Sequence, residues 1–576
     1  MVALAVTPLA LINGIFDIHI FLSHDVIPKV ILILASAAGL LFLLPRWLPS
    51  LAALWERQEG RMFLMLVIAQ LASLGLSTLF SSQPALSLAG TVWRRFGMIE
   101  QTAALLIATG VVCLAAAQPR WAGHLMHAVF LCGGVAALYG ILQYFGVDPF
   151  LWPELYTLDI FGSVTRPPGT LGHAIYFSAY LVPVALLAAS SAETESQKIW
   201  RRVAMIVALL TCVAILLAGS RGAVLAVAGG LLFLAWHRKR RLRLVLGTAF
   251  VLTFALTLAL SPAGDNFRRR VVQWRSDLGG SRLSMWEESP ALIGKHPWLG
   301  SGPETFATEF RAIQSAAFSR AYPDFYQETP HNAFLDAAIA QGLPGALILV
   351  GVFVLGLYPW PGRSVGLQAA LIGILIASIF ASFTLVTAIY LWTVAGLGLG
   401  VSYEPNTVTR PEVRKSRTTY YPAFATGVLF LLAAIALGEQ DRAYAALLDD
   451  AASGNLAGAT RDYAIATVVS AGMPGYELWS SRQFAVLRAW DKASEAAGRA
   501  ETRSEDRFSA TYQSSVLAVA AGDLTQAESK ARETIRLAPN WYKPHLILAQ
   551  ILQAMGRNAE ATEQFQISRD LGWREY

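Results

Sequence analysis

Runs of apolar residues, each near the ~20 a helix needs to cross the hydrocarbon core of a bilayer, recur with short polar connections from the N-terminus to Gly438. Only 15% of the 576 residues are charged, where an ordinary soluble domain carries roughly a quarter. The chain therefore reads as an all-α, polytopic membrane protein. Channels, transporters and membrane enzymes fit this pattern, and no nucleic-acid partner is expected.

The pattern predicts spans near 3–22, 27–44, 62–80, 97–117, 123–145, 173–190, 200–218, 222–236, 243–261, 333–357, 367–386, 388–402 and 421–438, about 12–13 transmembrane helices in all. No basic region precedes the first apolar run, so that span is expected to stay as an anchor. Cys113, Cys132 and Cys212 all fall inside spans and suggest neither a disulfide framework nor a metal cluster. With the N-terminus inside, the inner loops hold Arg46, Arg57, Arg61, Lys198, Arg201, Arg202, the run from His237 to Arg243, and Arg410, Arg414, Lys415 and Arg417. This positive-inside bias directs the loop 262–332 outward; Arg94 and Arg95 sit outside against the rule. The expected domains are a membrane domain, 1–438, and a soluble tail, 439–576, which faces outward if the last span is real.

After Gly438 the sequence becomes amphipathic and Ala-rich, as in helices that pack on one another in water. Gly522 and Gly556 are 34 residues apart, as are Ala527 and Ala561, and Pro539 closes the first unit. Leu548, Ala549 and Phe565 occupy further small and apolar positions of a helix-turn-helix unit, so the tail resembles two tetratricopeptide repeats, an α-solenoid. Residues 440–507 have room for another pair. Such repeats present a concave surface that binds protein partners or serves as packing.

The loop 262–332 is the longest outer segment and is dense in Arg, Trp, His and Tyr, which argues for function. Arg282 followed by Trp286, then "KHPWLGSGPETF" (Lys295–Phe306), then "HNAFLDAAIAQGLPG" (His331–Gly345), with "RPPGTLGHAIYFSAYL" (Arg166–Leu181) and "AGSRGAVLAV" (Ala218–Val227) before them, resemble the O-antigen ligase and polymerase superfamily over roughly residues 20–400. The resemblance implies a multi-pass enzyme of the bacterial inner membrane, working on its periplasmic face. It would move a glycan from an undecaprenyl-diphosphate carrier to a lipid A-core sugar, a growing polysaccharide or a protein hydroxyl. Two features depart from relatives: "TLGHAIYF" stands where many carry an Asn-Pro-Asn-like turn, and the plainest lipopolysaccharide ligases lack the tail.

The residue chemistry agrees with such a reaction. A departing diphosphate gains negative charge and calls for cationic donors aimed at its oxygens, a task the planar fork of arginine performs better than lysine. Arg221, between two apolar spans, marks function unless it snorkels to the interface. Arg282 in the outer loop and Arg166 on the rigid "RPPG" turn are further donors, and Trp286 either packs beneath the Arg282 guanidinium or lines a sugar surface. The acceptor hydroxyl must lose its proton, which histidine takes well near neutrality. His331 at the mouth of the tenth span is the candidate base. Asn332 orients its ring or caps the helix, and His173 lies where it can touch substrate.

No cofactor is expected, and Glu287, Glu288 and Glu304 lack a metal-ligand spacing, so transfer is expected to be metal-independent. Lipid A-core ligation leads; polymerisation and protein O-glycosylation share the donor chemistry. A lipid-linked glycan transporter would spread charge through the midplane, and a scaffold would need no Arg/His constellation. Every candidate catalytic residue precedes Gly345, so the tail is expected to tune acceptor choice rather than chemistry.

Overall fold

The computed structural model describes residues 2–11, 20–118, 120–151, 156–158, 164–237, 280–324, 326–360, 362–400, 417–470 and 472–574. Among these residues seven helices are long and apolar enough to cross a membrane: Gln58–Leu79, Met98–Ala117, Arg120–Tyr144, Ala174–Thr194, Lys198–Leu217, Ala333–Leu357 and Tyr420–Ala452. The pair Ile27–Phe42 and Leu44–Glu56, bent by 84°, makes an eighth if counted as one span, and Arg221–His237, Val365–Phe380 and Leu385–Leu399 are shorter apolar helices. The described residues thus hold fewer full-length spans than the 12–13 expected. Arg221–His237 has 17 residues, about 25 Å at 1.5 Å per residue, short of the ~30 Å core. The expected span 243–261 lies outside the described residues, as do residues 12–19 of the first. Among the described residues the regular structure is helical apart from a two-residue antiparallel ribbon, Thr157–Leu158 with Val164–Thr165.

Met98–Ala117 and Ala174–Thr194 are the helices most enclosed by their neighbours. Small residues let helices close on them: a Cβ at Gly230 or at Gly373 would strike the Leu186 side chain from two different helices. Aromatic and branched side chains such as Phe63, Phe130, Phe177, Ile33 and Leu34 fill what remains.

The Ala333–Leu357 helix breaks at Gly342, whose φ of 69° is left-handed and is followed by Pro344. A break inside an apolar helix must have its freed backbone groups satisfied. The "PWLGSG" segment does this: Ser301 N donates to Ile339 O (2.8 Å), Gly302 N to Ala340 O (3.0 Å), and Leu343 N to Pro297 O (2.8 Å). Trp298 stays 70% exposed, with Leu343 and Leu347 exposed on the adjoining helix, as expected of an aromatic anchor at the bilayer interface.

The tail is a row of helix hairpins. Arg417–Ala452 runs without interruption from the membrane part into the first hairpin with Leu456–Val469, so the 438/439 boundary falls inside one helix. Glu477–Val486 with Trp490–Arg503, Arg507–Ala520 with Leu524–Leu537, and Tyr542–Ala554 with Asn558–Asp570 follow. The turns place Gly454, Arg488, Gly522 and Gly556, each 34 residues from the next, at positive φ. At the same spacing Ala459, Ala493, Ala527 and Ala561 are buried. Ser481 Oγ donates to Ala493 O (2.8 Å) and Ser515 Oγ to Ala527 O (2.9 Å), one contact repeated in consecutive units. The repetition therefore spans four hairpins, two more than the glycines disclose.

The tail is joined to the rest at buried polar contacts. Arg95, 1% exposed, donates to Gln440 Oε1 (3.4 Å) and Pro474 O (3.2 Å), and Asp441 accepts from Ser23 N (2.9 Å). Thr308 in the loop donates to Glu505 O (2.5 Å). The tail and the described part of the loop lie on one side of the molecule.

Candidate functional site

The start of the Ala333–Leu357 helix fixes the first histidine. Asn332, in extended conformation, caps the helix by accepting from Phe334 N (2.9 Å) and Leu335 N (3.1 Å). His331 before it holds a left-handed backbone, φ 50°, sparsely populated for a side chain of its size. The hydroxyl of Thr329, 1% exposed, accepts from His331 N (3.3 Å) and lies 3.4 Å from its ring Nδ1. The indole N–H of Trp286 donates to Pro330 O at 2.7 Å. Trp286 thus braces the His331 loop from the helix that also carries Arg282, Ser281–Glu288. Asn332 spends its side-chain oxygen on the cap, and the hydroxyl next to the imidazole belongs to Thr329.

His173 is the N-cap of Ala174–Thr194, and its Nδ1 accepts from Ile175 N at 3.2 Å. A neutral imidazole with Nδ1 accepting carries its proton on Nε2, so His173 presents a donor. The loop leading to it is tied down: Arg166 N donates to Tyr156 O (3.0 Å), Gly169 N to Gln143 Oε1 (2.8 Å), and Lys29 Nζ to Thr170 O (2.6 Å). Arg221 opens Arg221–His237 after a turn at Gly219, φ 66°, and its side chain is exposed.

Electrostatics link these groups. Burial, then the charges of Arg282, His173 and Arg94, push the His331 imidazole down to about 3. Burial, then Arg166 and Arg282, push His173 down to about 4. Burial, then Arg221, lower Arg282 from its ordinary value. Four segments distant in sequence thus bring Arg166, His173, Arg221, Arg282 and His331 within electrostatic reach. Both imidazoles are held neutral at pH 7, and Arg282 feels the like charge of Arg221, a repulsion that a bound anion would relieve.

Sequence reasoning missed the network beneath. Arg94, a breach of the positive-inside rule, is buried: Nε donates to Glu304 (2.5 Å) and Nη1 to Asp336 (3.0 Å). Thr91 binds the other oxygen of Glu304, through its N–H at 3.1 Å and its hydroxyl. Burial opposes the charge of Arg94, but Asp336 and Glu304 outweigh it and raise its pKa. Glu304 holds a left-handed φ of 67° to do this. The network joins the Arg94 loop, the "SGPET" segment and the helix below His331. Among the described residues no group of three His, Cys, Asp or Glu is placed to hold a metal ion.

Residues 206–350 match the family model described as O-Antigen ligase. The match takes in Arg221, Arg282, Trp286, His331 and Asn332, and leaves out Arg166, His173 and the tail. No curated protein matches the chain.

Proposed function

We propose that the chain is a membrane glycosyltransferase of O-antigen ligase type. It moves a glycan from an undecaprenyl-diphosphate carrier to an acceptor hydroxyl, most simply a lipid A-core sugar, on the periplasmic face of the inner membrane. The observation that carries the reading is the gathering of Arg221, Arg282 and two neutral histidines on one side of the molecule, in and beside the segment that matches the ligase family.

In this reading the diphosphate lies between Arg221 and Arg282, with Arg166 as a third cation. The acceptor oxygen attacks the anomeric carbon as the bond from that carbon to the diphosphate oxygen breaks. The electron pair leaves with the diphosphate, whose growing charge the guanidinium forks stabilise. His331 takes the acceptor proton: its ring is neutral at pH 7, and the negative charge of the bound diphosphate offsets the nearby cations and raises the basicity of the ring above that of the free site. His173 donates its Nε2–H to a substrate oxygen. The arginines supply the leaving-group stabilisation, so the step needs no metal ion. We read the hairpin tail as a tetratricopeptide-type domain able to bind a protein partner.

The test supplies purified protein with undecaprenyl-diphosphate-linked glycan and, separately, lipid A-core, free repeat unit and a Ser/Thr peptide. Sugar on lipid A-core supports ligation; sugar on another acceptor reassigns the subtype to polymerase or protein O-oligosaccharyltransferase. Movement of the donor across sealed vesicles without transfer to any acceptor points to a transporter instead.

A further inference from the structure

The tail grips the segment that delivers His331. The Arg311 guanidinium, in the loop helix Phe306–Ile313, lies over the rings of two tail residues, 4.9 Å from Phe508 and 5.9 Å from Trp541. Arg311 is 6% exposed, and its Nη1 donates to Gln314 Oε1 (3.1 Å). The backbone oxygen of Gln314 in turn accepts from Asn540 of the tail (2.7 Å). Asp324 accepts from Tyr542 (3.0 Å) and pairs with Lys543 (3.1 Å). The Tyr326 ring stands 6.3 Å from that of Phe508, within a cluster of Phe508, Ala538 and Trp541. From Tyr326 the chain passes through the buried Gln327 and Thr329 to His331 in five residues.

A left-handed histidine is a strained conformation, and such strain persists only where the surroundings over-determine it. Trp286 and Thr329 hold His331 locally, and the residues just upstream are anchored on the tail. Stacking of a desolvated arginine on two aromatic rings makes a stiff joint, since it combines cation–π attraction with apolar burial.

We propose that the tail is a positioning element of the transfer centre: Phe508 and Trp541 clamp Arg311 and Tyr326 and so set the place of His331. This deepens the proposed function, because it rests on His331 acting in transfer. It also replaces the expectation that the tail is dispensable for chemistry. A ligand that shifted the hairpin bearing Trp541 would act on catalysis through the same joint.

The full-length chain carrying Trp541→Ala, and separately Arg311→Gln, is compared with Trp541→Phe and Arg311→Lys. Two quantities are read on the folded fraction: amide hydrogen exchange across residues 326–332, and steady-state transfer from undecaprenyl-diphosphate-linked glycan. Exchange in that segment rises at least about tenfold in the first pair, and kcat falls about 10²-fold with donor KM unchanged, as expected of a displaced catalytic group. The conservative pair retains most of both. Unchanged exchange in Arg311→Gln and Trp541→Ala overturns the clamp, as does faster exchange with normal kcat. If the wild-type chain transfers nothing to any acceptor, the function reading fails, while the exchange result still decides whether the tail holds this segment.

Discussion

The indole N–H of Trp286 donates to the backbone oxygen of Pro330 at 2.7 Å, tying the helix that presents Arg282 to the residue before His331. The helix of the cation proposed for the diphosphate and the loop of the proposed base are thereby joined directly. Trp286→Phe keeps the ring and removes the N–H, leaving the Pro330 oxygen without this donor. Such a hydrogen bond contributes about 1 kcal/mol; because it holds the proposed base, its loss is expected to lower kcat by up to roughly fivefold and the melting temperature by about 2–4 °C at most. Steady-state transfer checks it; an unchanged kcat separates Trp286 from the base.

Arg221→Ala and Arg282→Ala are expected to abolish transfer while leaving the chain folded and inserted. Arg221 is exposed and Arg282 half-buried, so neither supports the core. Lysine at either position rescues poorly because it cannot offer the bidentate fork. Full activity of both Arg→Lys variants contradicts the diphosphate site.

The Arg94 network is a separate matter of stability. Arg94→Met leaves Glu304 and Asp336 buried without their cation, and breaking a buried pair in this way costs about 3–5 kcal/mol. Adding Glu304→Gln removes one of the uncompensated charges and recovers part of the loss. Thermal denaturation of both variants in detergent measures this; equal stability of Arg94→Met and wild type shows that the network carries no load.

Acidification provides a further test. His331 has a folded pKa of about 3 against an ordinary 6.5, so above pH 6.5 both the folded and unfolded forms are neutral there. As pH falls below 6.5 the unfolded chain binds the proton first. The stability that a neutral His331 provides therefore diminishes with falling pH and is gone below the folded value. The His331→Asn variant is expected to lose less stability between pH 6.5 and 4 than wild type, as read from denaturation midpoints. Imidazole ¹⁵N shifts of free enzyme should show both His331 and His173 neutral at pH 5.5, with the His173 proton on Nε2. A protonated His331 at that pH contradicts the burial account.

Much of this arrangement was legible in the sequence because apolar runs and small-residue spacing are local signals. The helices Met98–Ala117, Arg120–Tyr144 and Ala333–Leu357 lie close to the predicted spans. The break at Gly342 has its cue in "QGLPG", but nothing local says that "PWLGSG" fills the break. Arg94 looks out of place in the sequence because its partners lie 210 and 242 residues away. The sequence suggests room for one further pair over 440–507 where the structure has two hairpins, because Arg488 takes the left-handed position held elsewhere by glycine and the first hairpin borrows the last membrane helix. Trp286 sits at helical spacing from Arg282, which suggests packing beneath the guanidinium or a sugar surface; that its indole N–H also reaches a backbone oxygen 44 residues on has no local signal.

The central claim is that His331 is the base in transfer of a lipid-linked glycan, and single-turnover transfer by His331→Ala at saturating donor tests it most directly, measured per folded enzyme with donor affinity alongside. The account predicts a chemical step slower by ~10²–10⁴-fold, the usual contribution of a positioned base, with donor affinity held by the arginines. A normal single-turnover rate in folded His331→Ala would contradict it.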